Sequence, residues 1–238
     1  MSQLLQEDIE LFRPIFIENL KRFKDEQIIK ILCGVRRCGK STILESYKNE
    51  LLSLGVKSCN IIQRLYTSLE FDSDFDYRKM YHELMTLIEN AEKNQKIYLL
   101  LDEVQEVENW EKCINSLFEN QNVDIYVTGS NSKLLSSEIS TYLTGRFVQI
   151  PIFTLSFAEF IDFKNHYFPK NSDNSLDYYF DLYLKTGGFP FLAKTNHSQE
   201  ENYQIVEGIF STVVTRDISK RHNISNLEMF NRVVRFIL

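Results

Sequence analysis

Residues 34–41 read Gly34-Val35-Arg36-Arg37-Cys38-Gly39-Lys40-Ser41, a full G-x-x-x-x-G-K-[ST] phosphate-binding loop. This segment constrains the fold most, because such a loop works only where a strand gives way to a helix N-terminus. Gly34 and Gly39 let the backbone turn tightly. The amides of Val35, Arg36, Arg37 and Cys38 can then point inward at a polyphosphate. Lys40 reaches the β- and γ-phosphates, the Ser41 hydroxyl suits Mg²⁺, and Thr42 is counted with the loop as a binding residue. The flanks agree. Gln27–Cys33 (QIIKILC) is a short apolar run suited to a buried strand, and Ser41–Leu52 (STILESYKNELL) has helical spacing and ends near Gly55. The helix dipole then favours an anion at the loop.

Composition narrows the class without deciding it. With 238 residues the chain can bury a sizeable core. A formal net charge of −6 argues against a broad electrostatic surface for nucleic acid, though a local basic patch is compatible with it. Cys33, Cys38, Cys59 and Cys113 form no C-x-x-C pair and have no His at metal-ligand spacing, so a reduced, cytoplasmic chain is the simplest reading. No apolar run approaches membrane-spanning length, and the first residues carry acids where a signal peptide carries basic ones.

Lys96–Glu103 (KIYLLLDE) closes a continuous apolar run on two adjacent acids, the pattern of a central parallel strand. Acids at the carboxyl end of such a strand lie in the crevice where open α/β sheets bind ligands. Asp102 is the expected Mg²⁺ ligand, as the Walker B acid is in P-loop proteins, and Glu103 the expected general base. Asn122–Thr128 (NVDIYVT) reads as the next strand, ending in Gly129-Ser130-Asn131-Ser132. Ser130 and Asn131 are both candidates for contact with the γ-phosphate or the attacking water. Either can also cap a helix over Lys133–Ile139. Arg146 opens a fifth strand, Phe147–Phe153, where it can stabilise transition-state charge or stand as a surface arginine in a turn.

Taken together, GVRRCGKS, LLLDEVQ, YVTGSNSKLLS, LTGRF, LSFAEF and YLKTGGFP occur in this order in a known group. The chain resembles the prokaryotic AAA-type P-loop ATPases that carry a C-terminal domain of unknown function, relatives of the AAA+ and STAND NTPases. The resemblance implies a three-layer α/β core, a parallel five-stranded sheet in the order 5-1-4-3-2, and a small helical lid. It likens Arg146 to an arginine finger that reaches a neighbouring subunit. It likens Gly187-Gly188-Phe189-Pro190 to the lid motif whose proline packs on adenine, and Arg13 to a residue flanking the base. It also implies ATP and Mg²⁺ as cofactors.

Along the chain this gives a core over 1–155, a helical lid over 156–198, and over 199–238 the helical start of a winged-helix-like region cut short. The expected function is Mg²⁺-dependent ATP binding and hydrolysis that moves the lid and the C-terminal segment. The alternative is a nucleotide-gated switch or scaffold with little turnover. Expected partners are ATP and ADP, a homo-oligomer, an unidentified protein and, through the region beyond this sequence, nucleic acid, with no membrane. Arg216, Lys220, Arg221 and His222 form a basic cluster that suits either nucleic acid or a solvated helix end.

Overall fold

The computed structural model describes residues 13–68, 70–71, 74–130, 143, 145–169, 175–213, 218, 224 and 226–237. The chain divides into two compact units, residues 1–34 with 40–152 and residues 35–39 with 153–238.

In the first unit, α1 (Pro14–Arg22) opens with proline at its first turn, where a missing N–H costs nothing. It is tied to α2 (Lys40–Ser53) by Lys21 and Glu50 at 2.9 Å. The strands are β1 (Ile29–Gly34), β2 (Ile61–Leu65), β3 (Ile97–Asp102), β4 (Val123–Ser130) and β5 (Phe147–Pro151). They pair in parallel in the order β2-β3-β4-β1-β5, the order that the family resemblance implies. β1 and β3 are buried at every residue, which explains why they read as mostly apolar runs, broken only by Lys30 in β1 and closed by Asp102 in β3.

Alternation along these strands separates two faces. Ile29, Ile31 and Cys33 of β1, Ile97, Leu99 and Leu101 of β3, and Ile125 and Val127 of β4 join one apolar cluster. That cluster also takes Met80, Leu84 and Ile88 from α3 (Tyr77–Glu89) and Trp110, Cys113, Ile114 and Leu117 from α4 (Trp110–Asn120). Asp76 caps α3 by accepting from the amides of Arg78 and Lys79, both at 3.0 Å. Burial here pushes the Cys113 thiol up to about 12.

The intervening residues Lys30, Tyr98, Asp102, Asp124, Tyr126 and Thr128 lie on the other face, which α2 covers. There the Tyr47 and Tyr126 rings lie 4.8 Å apart and their hydroxyls 2.8 Å apart. At the amino end of this face Lys30 is ion-paired with Asp124, both side chains fully buried. Asp124 also accepts from the Asp25 amide at 2.8 Å and the Tyr126 hydroxyl at 3.0 Å. Burial pulls the Lys30 ammonium below its ordinary value, partly offset by Asp124.

The strand limits differ from expectation at two ends. β5 stops at Pro151 rather than Phe153: its pairing with β1 ends at Cys33, whose carbonyl accepts the last ladder bond from Ile152 N at 2.7 Å. β4 runs on through Gly129 and Ser130, which pair with Cys33 and Gly34. The residues assigned to a turn therefore begin as strand.

The second unit carries α5 (Phe157–Tyr167), α6 (Leu176–Thr186), α7 (Pro190–Ala193), α8 (Gln199–Thr212) and α9 (Leu227–Ile237). α5 and α8 each begin with a full capping box, Ser156 with Glu159 and Ser198 with Glu201. No helix among the described residues is long and apolar enough to cross a membrane.

Candidate functional site

The site grows from the carboxyl ends of β1, β3 and β4. β1 ends at Gly34, and α2 begins at Lys40, so the loop does join a strand to a helix N-terminus. Within the loop Arg37 has φ 64° and Gly39 φ 102°. Only glycine takes such torsions cheaply, so a left-handed arginine marks backbone bent for a purpose. Val35, Arg37 and Ser41 are exposed, Arg36, Gly39 and Thr42 half-buried, and Gly34, Cys38 and Lys40 buried.

Lys40 folds back along the loop. Its Nζ donates to Gly34 O at 3.1 Å and lies 3.9 Å from Glu103 Oε1. Asp102 is the last residue of β3 and is buried. Glu103 follows in the left-handed region at φ 54° and ψ 43°, turning the chain out of the strand into a short 3₁₀ turn over Val104–Glu106. The Glu103 carboxylate accepts from Gln105 Nε2. Thr128 of β4 stands level with Asp102, as the pairing of Leu101 with Val127 requires. Its hydroxyl donates to Asp102 Oδ1 and accepts from the Glu103 amide at 3.0 Å.

The structure thus brings Lys40, Asp102 and Glu103 together. It sets Ser130 level with Gly34 at the start of the loop. Asn131, the helix expected over Lys133–Ile139, and the cluster Arg216, Lys220, Arg221 and His222 lie outside the described residues. Arg146 is not brought to the site. It stands at the opposite end of the sheet, where its carbonyl accepts from the amide of Ile29, the first residue of β1, at 2.8 Å. Five residues of strand, about 16 Å, separate that level from Gly34. Its guanidinium donates to Asn115 Oδ1 at 2.8 Å and pairs with Glu119 on α4. The reason is topological: in a parallel sheet the residue before a strand lies at the amino edge, while the phosphate loop leaves the carboxyl edge. Arg13 is buried, with its guanidinium 4.4 Å above the Phe16 ring.

Pro190 begins α7 in the second unit. The two glycines before it are both needed where they stand. Gly187 closes α6 at φ 77° and ψ −179°. A Cβ on Gly188 would meet Leu155 O at 2.5 Å. Leu155 N donates to Gly188 O at 2.7 Å, and Tyr183 donates its hydroxyl to Leu155 O at 2.9 Å. Beside this clamp lies a cavity of about 660 Å³ lined by Thr154, Leu184, Gly187, Gly188, Phe189 and Tyr203 among others.

The donor set fits a magnesium–nucleotide complex. Ser41 offers a hydroxyl and Asp102 a carboxylate, both hard oxygen ligands of the kind Mg²⁺ takes, and Lys40 brings a buried cation to a bent loop. Two residues that organise this set, Thr128 and Gln105, carry no signature of their own in sequence. Thr128 becomes visible only once β4 is known to pair with β3.

The family described as an AAA domain matches residues 26–161. An uncharacterized protein of Haemophilus influenzae is 36% identical over 228 residues, which is 94% of this chain and 54% of that protein. An uncharacterized protein of Methanocaldococcus jannaschii is 28% identical over 263 residues, covering 100% of this chain and 55% of that protein. The chain therefore spans about half the length of the curated relatives it matches. Among solved structures, the Walker-type ATPase PABY2304 of Pyrococcus abyssi is similar with a TM-score of 0.60 at 14% identity, over 90% of this chain and 76% of that one. A point mutant of Thermotoga maritima RuvB is similar with a TM-score of 0.51 at 17% identity, over 89% of this chain and 65% of that one. These likenesses establish the fold, which supports nucleotide binding.

Proposed function

This chain belongs to the AAA domain family, and on that premise we propose that it is a Mg²⁺-dependent ATPase. The observation that supports the reading best is the meeting of Lys40 with Glu103, beside Asp102, at the carboxyl ends of β1 and β3. The loop amides and Lys40 bind the β- and γ-phosphates. Ser41 and Asp102 hold Mg²⁺, which when bound neutralises charge developing on the phosphoryl oxygens. Glu103 takes a proton from the attacking water, and the oxygen of that water forms the new bond to the γ-phosphorus as the bond to ADP breaks. Pro190 packs on adenine, Ser130 or Asn131 reports the γ-phosphate, and the nucleotide state moves the helical lid over 156–198 and the C-terminal segment over 199–238.

A single-turnover assay with purified protein, ATP and Mg²⁺ tests this. The wild type should release phosphate, and Glu103→Gln should bind ATP as well while turning over about 10²–10⁴-fold more slowly. Equal rates in the two proteins would remove Glu103 as the base. Binding without phosphate release in either would leave a nucleotide-gated switch.

A further inference from the structure

We propose that Thr128 is a positioning residue that couples the metal-binding acid to the general base; the inference rests on the ATPase reading above. A buried strand position ordinarily takes Val or Ile, and a threonine hydroxyl in apolar surroundings costs free energy unless it is bonded. Thr128 is fully buried, and its hydroxyl is bonded in both directions. It donates its one proton to Asp102 Oδ1 and accepts from the Glu103 N–H at 3.0 Å.

Each bond has its own consequence. The first commits Oδ1 of Asp102 to the protein and so fixes the carboxylate plane. Its other oxygen is then the one oriented for a cation, the role outer partners play around metal ligands. The second holds the amide of a residue whose backbone lies in the left-handed region at φ 54°, a conformation that persists only when its surroundings enforce it. Glu103 then presents its carboxylate toward Lys40 and Gln105. A single hydroxyl on the neighbouring strand thus sets two side chains that act on different parts of the substrate. Its loss should weaken metal binding and slow turnover together, whereas a purely structural threonine would change stability alone.

The test measures Mn²⁺ affinity for the ADP complex by electron paramagnetic resonance, beside single-turnover hydrolysis. Thr128→Val should lose about 10–100-fold in Mn²⁺ affinity, the usual cost of removing an outer partner of a metal ligand. Metal-free ADP affinity should not change, and turnover should fall. Thr128→Ser, which keeps the hydroxyl, should restore both. Mn²⁺ affinity in Thr128→Val equal to that of the wild type overturns the proposal, whatever the turnover. If Thr128→Val does not fold, Thr128→Cys replaces it, with a weak donor of similar volume; a loss of about tenfold supports the coupling and wild-type affinity overturns it. The metal measurement decides the proposal by itself. A wild type that binds Mn²⁺–ADP yet never hydrolyses ATP would therefore refute the hydrolysis reading without deciding the role of Thr128.

Discussion

At their amino ends β1, β3 and β4 present Lys30, Tyr98 and Asp124; four residues later, on the same face, they present Gly34, Asp102 and Thr128. About 13 Å of strand separates the two rows. In the first row a lysine meets an aspartate directly, both fully buried, and Asp124 is further occupied by the Asp25 amide and the Tyr126 hydroxyl. In the second, a neutral hydroxyl holds Asp102, and the lysine returning from the loop stays 3.9 Å from Glu103. The same residue types therefore serve opposite ends. Paired directly and closed off, opposite charges lock the sheet. Held apart by neutral groups, they remain where a charged ligand can compete for them.

The same substitution, made at Lys30 of β1 and at Lys40, the first residue of α2, would break this contrast or sharpen it. Lys30→Met strands Asp124 as a buried charge and should cost about 3–5 kcal/mol of stability by urea unfolding. Adding Asp124→Leu should recover much of that, since an apolar pair removes the charge that was stranded. An unchanged midpoint in Lys30→Met would show that the amino-end pair locks nothing. Lys40→Met should behave the other way. Its unfolding free energy should fall by less than that of Lys30→Met, because Lys40 stays 3.9 Å from Glu103, while ATP affinity by calorimetry falls by about 2–5 kcal/mol, the cost of removing one partner of a close charge pair. Unaltered affinity would detach the lysine from the phosphates.

The smallest effect belongs to Arg146. Its pair with Glu119 is exposed on both sides, so Arg146→Ala should cost about 0–1 kcal/mol and leave the turnover of the dilute protein unchanged. Specific activity that rises with protein concentration, and loses that rise in Arg146→Ala, would return the residue to the site as one supplied by a neighbouring copy.

What could be read from sequence divides along the same line. β1 and β3 are legible because strands buried on both faces are mostly apolar, Lys30 and Asp102 apart, and the loop because its glycines and lysine are set by chemistry at fixed spacing. β2 is the least distinct of the five strands in sequence. Its IIQRL segment lies at the sheet edge and is only partly buried, so polar and apolar residues mix. The Lys30–Asp124 pair spans 94 residues, and no local pattern links its members. Thr128 and Gln105 are hidden for a related reason. Their meaning comes from strand register and from the left-handed turn at Glu103, neither of which composition encodes. Arg146 does directly precede β5, yet the parallel direction of β5 carries that position away from the loop.

The two glycines ahead of Pro190 appear as a repeated letter, but they are irreplaceable for unrelated reasons. At Gly187 there is open space where a side chain would go, and the obstacle is torsional: φ 77° with ψ −179° is a region essentially closed to every other residue. At Gly188 the obstacle is the Leu155 carbonyl oxygen, fixed from behind by the Tyr183 hydroxyl. A substitute at the first position would have to change the direction of the chain, and one at the second would have to move a neighbour. Neither adjustment relieves the other. Drift from glycine at either site therefore cannot be compensated by its twin, and the pair acts as two independent locks on the same short segment.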